Sequence, residues 1–404
     1  MTINSKIYPC VIGLGYVGLP IFKRLIKKFH VIGFDINKKR ISELNKGIDN
    51  NEVKRKKFYL PSKNIITSSV TNIKKSNFFI ICVPTPIFKN NKPDLSLLKK
   101  ASKSVAKNIK KNDIIFYEST VYPGVTKKIC LPIIEKHSKL KEGKDFFIGY
   151  SPERINPGDK INKISNIFKI VAFENKQIKN KVLKIYKSIT KKIILSNNIE
   201  EAETSKVIEN IQRDLNIGLM NEIYKVSKKI DVNFENVIKL AKTKWNFIEF
   251  KPGLVGGHCL PVDPYYFSFL AKQKKIDTNV ILAGRSVNNG MKNFIFAEII
   301  NFLKKNKIIK KNKIIFLGAT YKKNVPDLRN SLSLDIYKKF KKNGFNCFMY
   351  DPLITKEQNS TNNFLHKLPD LKKYKAVIIL VNHDVIQKTI EKSRKVILLH
   401  EIFK

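Results

Sequence analysis

Cys259 stands in the stretch GLVGGHCLPVDPYYF, residues 253–267, hemmed in by Gly256, Gly257, His258 and Asp263. A cysteine is the least weak of the free nucleophiles and forms a thioester readily with an oxidised carbonyl carbon. Gly256 and Gly257 let the chain approach a ligand, and Asp263 has the chemistry of a base or water holder for hydrolysis. His258 either lowers the thiol pKa or turns its ring away. A single cysteine beside a single histidine lacks the ligand spacing of a zinc site, so no metal is expected. On this stretch alone the thiol is a nucleophile or a small hydrophobe in a turn.

Other groups along the chain have matching chemistry. Lys206 and Asn210 lie four residues apart on an expected helix and so share one face. Together an ammonium and an amide can hold an oxygen that becomes negative, although a solvated helix face would carry the same residues. Glu153, in SPERINPGD, can position water or substrate, or serve as a turn carboxylate. Gly13-Leu-Gly15-Tyr16-Val17-Gly18 follows the first apolar run and opens a helix. Its glycines suit a tight turn, a close approach to a pyrophosphate, and helix–strand packing, with the helix N-terminus facing the anion. The second run ends VIGFD, which places Asp35 where a carboxylate takes the adenosine ribose hydroxyls. That favours NAD over NADP, a preference softened by the nearby Lys38, Lys39 and Arg40. Two loops at later strand ends, Val83-Pro84-Thr85-Pro86 and Glu118-Ser119-Thr120-Val121-Tyr122-Pro123-Gly124, offer hydroxyls to the nicotinamide end.

The elements that must hold these residues are legible in outline. Apolar runs at 6–15, 30–35, 77–84, 113–120 and 145–152 are continuous rather than alternating, as strands buried on both faces of a parallel sheet are. They predict a doubly wound α/β domain. From 199 to 230 strong breakers are almost absent, and apolar residues recur at Val207, Ile211, Leu215, Leu219 and Ile223, which predicts one long helix. Strand patterns return with NKIIFLGATY, FNCFMYDP and KAVIILVNH. The expected class is α/β: two Rossmann-like doubly wound domains joined by a long central helix. The expected division is 1–196 for dinucleotide binding, 197–305 for a central helical dimerisation region with Cys259, and 306–404 for a second Rossmann-like domain. The two α/β lobes are compatible with a coarse internal duplication.

The 404 residues have 43% hydrophobic content and carry 78 Lys+Arg against 33 Asp+Glu, a formal charge of +45. The lysines are spread in short pairs without an arginine-rich arm or basic tail, so a specific nucleic-acid partner is not expected, while phosphate-bearing substrates are attracted. Five cysteines stand singly, which fits reduced thiols in the cytoplasm. The N-terminus runs straight into the first strand, no apolar run has membrane-span length, and neither a cleaved signal peptide nor a membrane is expected.

GLGYVGLP, FDIN, VPTP, ESTVYPG, SPERINPGD, EAETSKVIENIQRDLN, GGHCLPVDPYY and FLGATYKKNVPDLRNS, in this order over nearly the whole chain, resemble the UDP-glucose/GDP-mannose dehydrogenase family of nucleotide-sugar 6-dehydrogenases. SPERINPGD, where the UDP-glucose and GDP-mannose branches carry an NPEFLREG-like segment, resembles the branch acting on UDP-N-acetylhexosamines (UDP-GlcNAc or UDP-GalNAc). The resemblance implies oxidation of a C6 alcohol to a uronate with two NAD, through a thiohemiacetal and a thioester on Cys259. It assigns Lys206 and Asn210 to the oxyanion, Asp263 to the water chemistry, and Glu153 and Thr120 to its support. It places Tyr16, Val17, Arg40, Pro84, Thr85 and Ser119 with the glycines and Asp35 around NAD. Arg154, Gly256, Gly257, Lys322 and Arg329 join Glu153, Lys206 and Asn210 around the UDP-sugar. It also implies a homodimer or higher homo-oligomer through the long helix, and a product that serves surface polysaccharide (capsule or O-antigen) synthesis. Lys323 departs from the family, where Glu is frequent, and the C-terminal ILLHEIFK lacks an Asp that commonly closes the last strand. UDP-glucose 6-dehydrogenase, and more remotely a non-catalytic basic binding protein on the same scaffold, are the competing readings.

Overall fold

The computed structural model describes residues 6–49, 57–155, 161, 163–355, 363–390 and 398–399. Residues 156–159 of SPERINPGD, and all of ILLHEIFK except Leu398 and Leu399, lie outside them. The chain forms two compact units, one of Met1–Glu209 with Tyr265–Ile276, the other of Asn210–Pro264 with Asp277–Lys404.

In the first unit the strands are β1 (Pro9–Ile12), β2 (Ile32–Phe34), β3 (Ile65–Thr67), β4 (Phe78–Ile81), β5 (Asp113–Tyr117), β6 (Phe146–Tyr150), β7 (Phe168–Ala172) and β8 (Lys192–Ser196). They make one sheet in the order β3-β2-β1-β4-β5-β6-β7-β8, parallel throughout except for the antiparallel step from β6 to β7. The continuous apolar runs have the expected cause. Phe78 and Ile80 face one core with Leu19, Phe22, Leu25 and Tyr186, while Phe79 and Ile81 face another with Leu98, Val105 and Ile134. Every position of such a strand is therefore apolar.

The second unit has β9 (Ile314–Leu317), β10 (Cys347–Tyr350), β11 (Phe364–Leu365), β12 (Ala376–Ile379) and β13 (Leu398–Leu399), all parallel, in the order β11-β10-β9-β12-β13. Its centre repeats a device of the first sheet. After β1, Gly13 (φ 89°) donates its N–H to the Phe34 carbonyl, and Leu14 donates to the Asp35 carboxylate at 2.8 Å. After β9, Gly318 (φ 86°) donates to the Tyr350 carbonyl, and Ala319 donates to the Asp351 carboxylate at 2.7 Å. The second copy is closed differently, because Thr320 replaces the second glycine and His383 bonds Asp351 at 3.0 Å.

The long helix runs Ile199–Lys229, against the expected 199–230. Its apolar residues do not share one face to the end. Steps of four residues advance by about 40° beyond a full turn, so Val207 is buried but Leu219 is 51% exposed. The inward face beyond residue 210 is mixed: Asp214 and Asn221 are buried, with Gly218 between them, alongside the buried Ile211, Met220 and Tyr224. Gly218 lies against Gly284 of a second long helix, Asn279–Lys305; a Cβ on Gly218 would meet the Gly284 carbonyl oxygen at 2.9 Å.

Candidate active site

In the first unit the turn after β1 has the features that a diphosphate would need. A Cβ on Gly18 would stand 1.8 Å from the Gly13 carbonyl oxygen, so only glycine lets the first helix (Gly18–Leu25) pack there. Around the Cβ position of Gly15, by contrast, nothing lies within 4 Å, and the helix start at Val17 has no side-chain cap. The turn thus combines open space with uncapped N–H groups at a dipole's positive end. A cavity of ≈ 490 Å³ opens beside it, lined by Gly13, Phe34, Asp35, Val70, Pro84 and Ala101 among others. Asp35 is held by N–H groups of Leu14 (2.8 Å) and Asn37 (2.9 Å), which fixes the carboxylate at the end of β2. Arg40, expected at the cofactor, turns its guanidinium to the Asp49 carboxylate (2.8 Å) and the Leu14 carbonyl (3.1 Å), so it braces the glycine turn from behind. Tyr16 and Val17 complete the turn before that helix.

The two loops expected at the nicotinamide end are knitted together. Thr85 Oγ1 donates to the Thr120 carbonyl at 2.6 Å, and Ser119 Oγ donates to the Val83 carbonyl at 2.6 Å. Tyr266, from the helix Asp263–Gln273, donates its hydroxyl to the Thr85 carbonyl at 2.5 Å, a tie that the sequence did not announce. Glu203 accepts from the Gly124 and Thr126 N–H groups at 2.5 and 3.0 Å, and burial pushes its carboxyl up to about 7.

Beneath these loops lies a charge cluster that was also missed. Lys169, on β7 and almost fully buried, is hydrogen-bonded to the Glu118 carboxylate and stands 3.9 Å from Glu153 Oε2. Glu118 also accepts from Tyr186 Oη at 2.9 Å; burial pushes its carboxyl up to about 7 against the pull of the Lys169 ammonium. Glu153 Oε1 accepts from the Ile155 N–H. Arg154 pairs with Glu209 of the long helix and donates to the Phe168 carbonyl at 3.3 Å. Lys206 is 7% exposed, and among the described residues no acceptor is found for it.

In the second unit the structure brings three of the expected residues together. Asn210 Nδ2 donates to the Asp263 carboxylate, and Asp263 donates its backbone N–H to the Cys259 carbonyl at 2.9 Å. Val262 donates to the same carbonyl at 2.9 Å, so Cys259 sits in the turn that starts the helix Asp263–Gln273. Cys259 is partly exposed, unlike the other four cysteines, which are buried. The side of each neighbouring glycine faces protein. A Cβ on Gly256 would stand 2.6 Å from the Asn330 carbonyl oxygen, and one on Gly257 (φ 90°) would stand 2.7 Å from the Tyr321 ring. His258 packs edge-on to Tyr321, with ring centroids 6.3 Å apart. Arg329 grips Asp327 through both carboxylate oxygens at 2.6–3.0 Å, and Lys322 lies on the same loop, where its carbonyl accepts from Thr320 Oγ1 at 3.1 Å. Lys323, the departure noted above, pairs with Asp384 at 2.8 Å. Among the described residues no group of three or more His, Cys, Asp or Glu could hold a metal ion. Nor is any helix of these residues long and apolar enough to cross a membrane.

Comparison with known proteins covers nearly the full length. Models of the UDP-glucose/GDP-mannose dehydrogenase family match residues 7–190 as its NAD binding domain, 200–290 as its central domain, and 315–402 as its UDP binding domain. Protein CapL of Staphylococcus aureus is 45% identical, with 92% of this chain and 88% of that protein covered. The UDP-N-acetyl-D-glucosamine 6-dehydrogenase of Pseudomonas aeruginosa is 44% identical, with 86% and 83% covered. The solved UDP-D-ManNAc dehydrogenase of Pyrococcus horikoshii superposes with a TM-score of 0.82 at 30% identity, with 98% of this chain and 94% of that one covered. Motifs, fold and relatives agree: the chain is an NAD-dependent dehydrogenase of the UDP-glucose/GDP-mannose dehydrogenase family.

Proposed function

We propose that the chain oxidises the C6 hydroxyl of a UDP-N-acetylhexosamine to the uronate, with Cys259 as the covalent nucleophile. The observation that carries this reading is the hydrogen-bonded group of Asn210, Asp263 and the Cys259 turn, in a chain whose other unit has the NAD-binding fold. NAD supplies the hydride acceptor, one for each of two oxidations. In this reading the Cys259 thiolate adds to the C6 aldehyde, and Lys206 and Asn210 hold the oxygen that becomes negative. Asp263, oriented by Asn210, directs the water that releases the thioester as the acid. Glu153 and Thr120 order the water and substrate around it. Lys322, Arg329, Arg154, Gly256 and Gly257 belong to the nucleotide-sugar side, and Gly13, Gly15, Gly18, Asp35, Pro84, Thr85 and Ser119 to the NAD side. The proposed functional division is 1–196 for NAD, 197–305 for the central helical region with Cys259, and 306–404 for the nucleotide-sugar side.

Preference for an N-acetylhexosamine is supported by the relatives of that printed activity at 44% and 41% identity. Ile208, Leu219 and Val226, at 50%, 51% and 54% exposure, fall on one line of the long helix. An exposed apolar line of this kind supports a homodimer through that helix. The enzyme would work in the cytoplasm on a precursor of a surface polysaccharide. The test is NADH and uronate formation with UDP-GlcNAc, UDP-GalNAc, UDP-ManNAc and UDP-glucose side by side. Turnover of an N-acetylhexosamine with two NADH per uronate is expected; a clear preference for UDP-glucose overturns the substrate assignment.

A further inference from the structure

We infer that the buried polar side chains between the two long helices form a frame for the nucleophile loop, with Asn221, Asp214 and Arg285 as positioning residues for Cys259. The inference rests on the proposed role of Cys259. It starts from how the loop 253–263 is attached. Asn221 uses both ends of its amide on one residue: Oδ1 accepts from the Gly253 N–H at 2.8 Å, and Nδ2 donates to the Gly253 carbonyl at 3.0 Å. Two turns earlier on the same helix, Asp214 holds the guanidinium of Arg285, which is 1% exposed and reaches the Leu260 carbonyl at 3.4 Å. One turn earlier again, Asn210 holds Asp263. The order 221, 214, 210 on the helix thus meets 253, 260, 263 on the loop, so the loop lies antiparallel to the helix and is fastened at three levels.

Asn288 ties the levels together. Its Nδ2 donates to the Asp214 carbonyl and carboxylate at 2.8 Å each, and its Oδ1 accepts from Asn221 Nδ2 at 2.7 Å. Each of these links is internal to the second unit.

Chain connectivity alone leaves the thiol free to wander. The helix rises about 16 Å from 210 to 221 at 1.5 Å per residue. The ten steps from 253 to 263 can span about 33 Å. With twice the needed length, the loop has slack, and the contacts decide where Cys259 sits. A buried ion pair is a poor source of net stability compared with apolar packing of the same volume. What it supplies here is direction: one Arg285 guanidinium nitrogen, held by Asp214, reaches a carbonyl one residue from the thiol at 3.4 Å.

The test compares Asn221→Ala, Asn221→Asp and Cys259→Ser in the full chain. Steady-state kcat, KM for NAD, uronate yield and the folded fraction by circular dichroism are measured for each. The expected result for Asn221→Ala is a fall in kcat of about 10–100-fold, the scale of an ångström-sized misplacement, with KM for NAD within about threefold of wild type. Asn221→Asp, which keeps the acceptor for the Gly253 N–H, recovers part of the loss. A folded Asn221→Ala with kcat within about threefold of wild type overturns the frame, as does a loss that only tracks unfolded protein. If Asn221→Ala does not fold, Arg285→Lys carries the same test, since it keeps the charge beside Asp214 and removes the guanidinium N–H that reaches Leu260. Cys259→Ser separates the two ideas. Uronate from Cys259→Ser sinks the nucleophile reading, whereas a dead Cys259→Ser beside a fully active Asn221→Ala sinks the frame alone.

Discussion

Gly256 and Gly253 lie in one loop and should respond to alanine in opposite ways. A methyl at Gly256 would point at the Asn330 carbonyl oxygen, 2.6 Å away, with Tyr321 Cβ at 3.0 Å. An ordinary carbon–oxygen contact is about 3.3 Å, so the two backbones must part by about 0.7 Å. The obstacle is main chain and cannot swing aside. The separation also strains the bond from Asn330 Nδ2 to the Gly257 carbonyl, now 2.9 Å. Overpacking of this sort costs about 1–3 kcal/mol of stability. The effect on rate is larger, because Cys259 is three residues on and a misplacement near 1 Å costs about 10²-fold. At Gly253 nothing lies within 4 Å of the Cβ position, and the bonds to Asn221 use only backbone atoms. Gly253→Ala should therefore keep wild-type kcat and gain up to about 1 kcal/mol from a less flexible unfolded chain. The assay is NADH production at saturating UDP-sugar, with thermal unfolding of both variants. Equal losses in the two variants, or a Gly256→Ala enzyme within about threefold of wild type, would refute the argument.

Two further outcomes follow from the first unit. Asp35→Ala removes the acceptor for the Leu14 and Asn37 N–H groups along with the proposed ribose acceptor; a charged hydrogen bond is worth about 1.5–3 kcal/mol, so KM for NAD should rise about 10–100-fold at nearly constant saturated kcat. An unchanged KM would remove Asp35 from the cofactor site. Glu203 has a folded pKa raised from 4.5 to about 7 by burial, so its contribution to stability is fully present below pH 4.5 and lost as pH rises through 7. At about 1.4 kcal/mol per pH unit the cost is of the order of 3 kcal/mol at pH 8. Glu203→Gln lacks that titration, and its urea midpoint should gain on wild type between pH 5.5 and about 8; a wild type that gains on the variant over that range contradicts the assignment.

The parts of the fold that read clearly were those in which one residue type repeats for one reason. Phe78–Ile81 is apolar at every position because both faces of β4 are covered, and that signal is local. The length of the long helix was also legible, since Ile199–Lys229 contains no proline and a single glycine, Gly218. Its inward face was not. Asp214 and Asn221 look like solvent-facing residues until Arg285 and Asn288 are brought against them, and those partners lie 67–74 residues away. Lys169 was invisible for a different reason: it is one among 78 Lys+Arg, and only burial between Glu118 and Glu153 singles it out. Motif glycines were found, but the partners of Gly256 and Gly257 were not, because Asn330 and Tyr321 reach them from a distant loop. For Arg40, which the resemblance places around NAD, the bonds to Asp49 and the Leu14 carbonyl were likewise not legible in the sequence.

The most direct measurement of the central claim is product analysis of Cys259→Ser. The variant is incubated with NAD and a UDP-N-acetylhexosamine, and free uronate is quantified beside NAD binding. The thiol is partly exposed in a turn held by Val262 and Asp263, so serine fits there without disturbing the dinucleotide turn at Gly13–Gly18. The account predicts wild-type NAD affinity with little or no uronate, because a serine hydroxyl is a far weaker nucleophile at neutral pH than a cysteine thiolate. Acid production at the wild-type rate would contradict it.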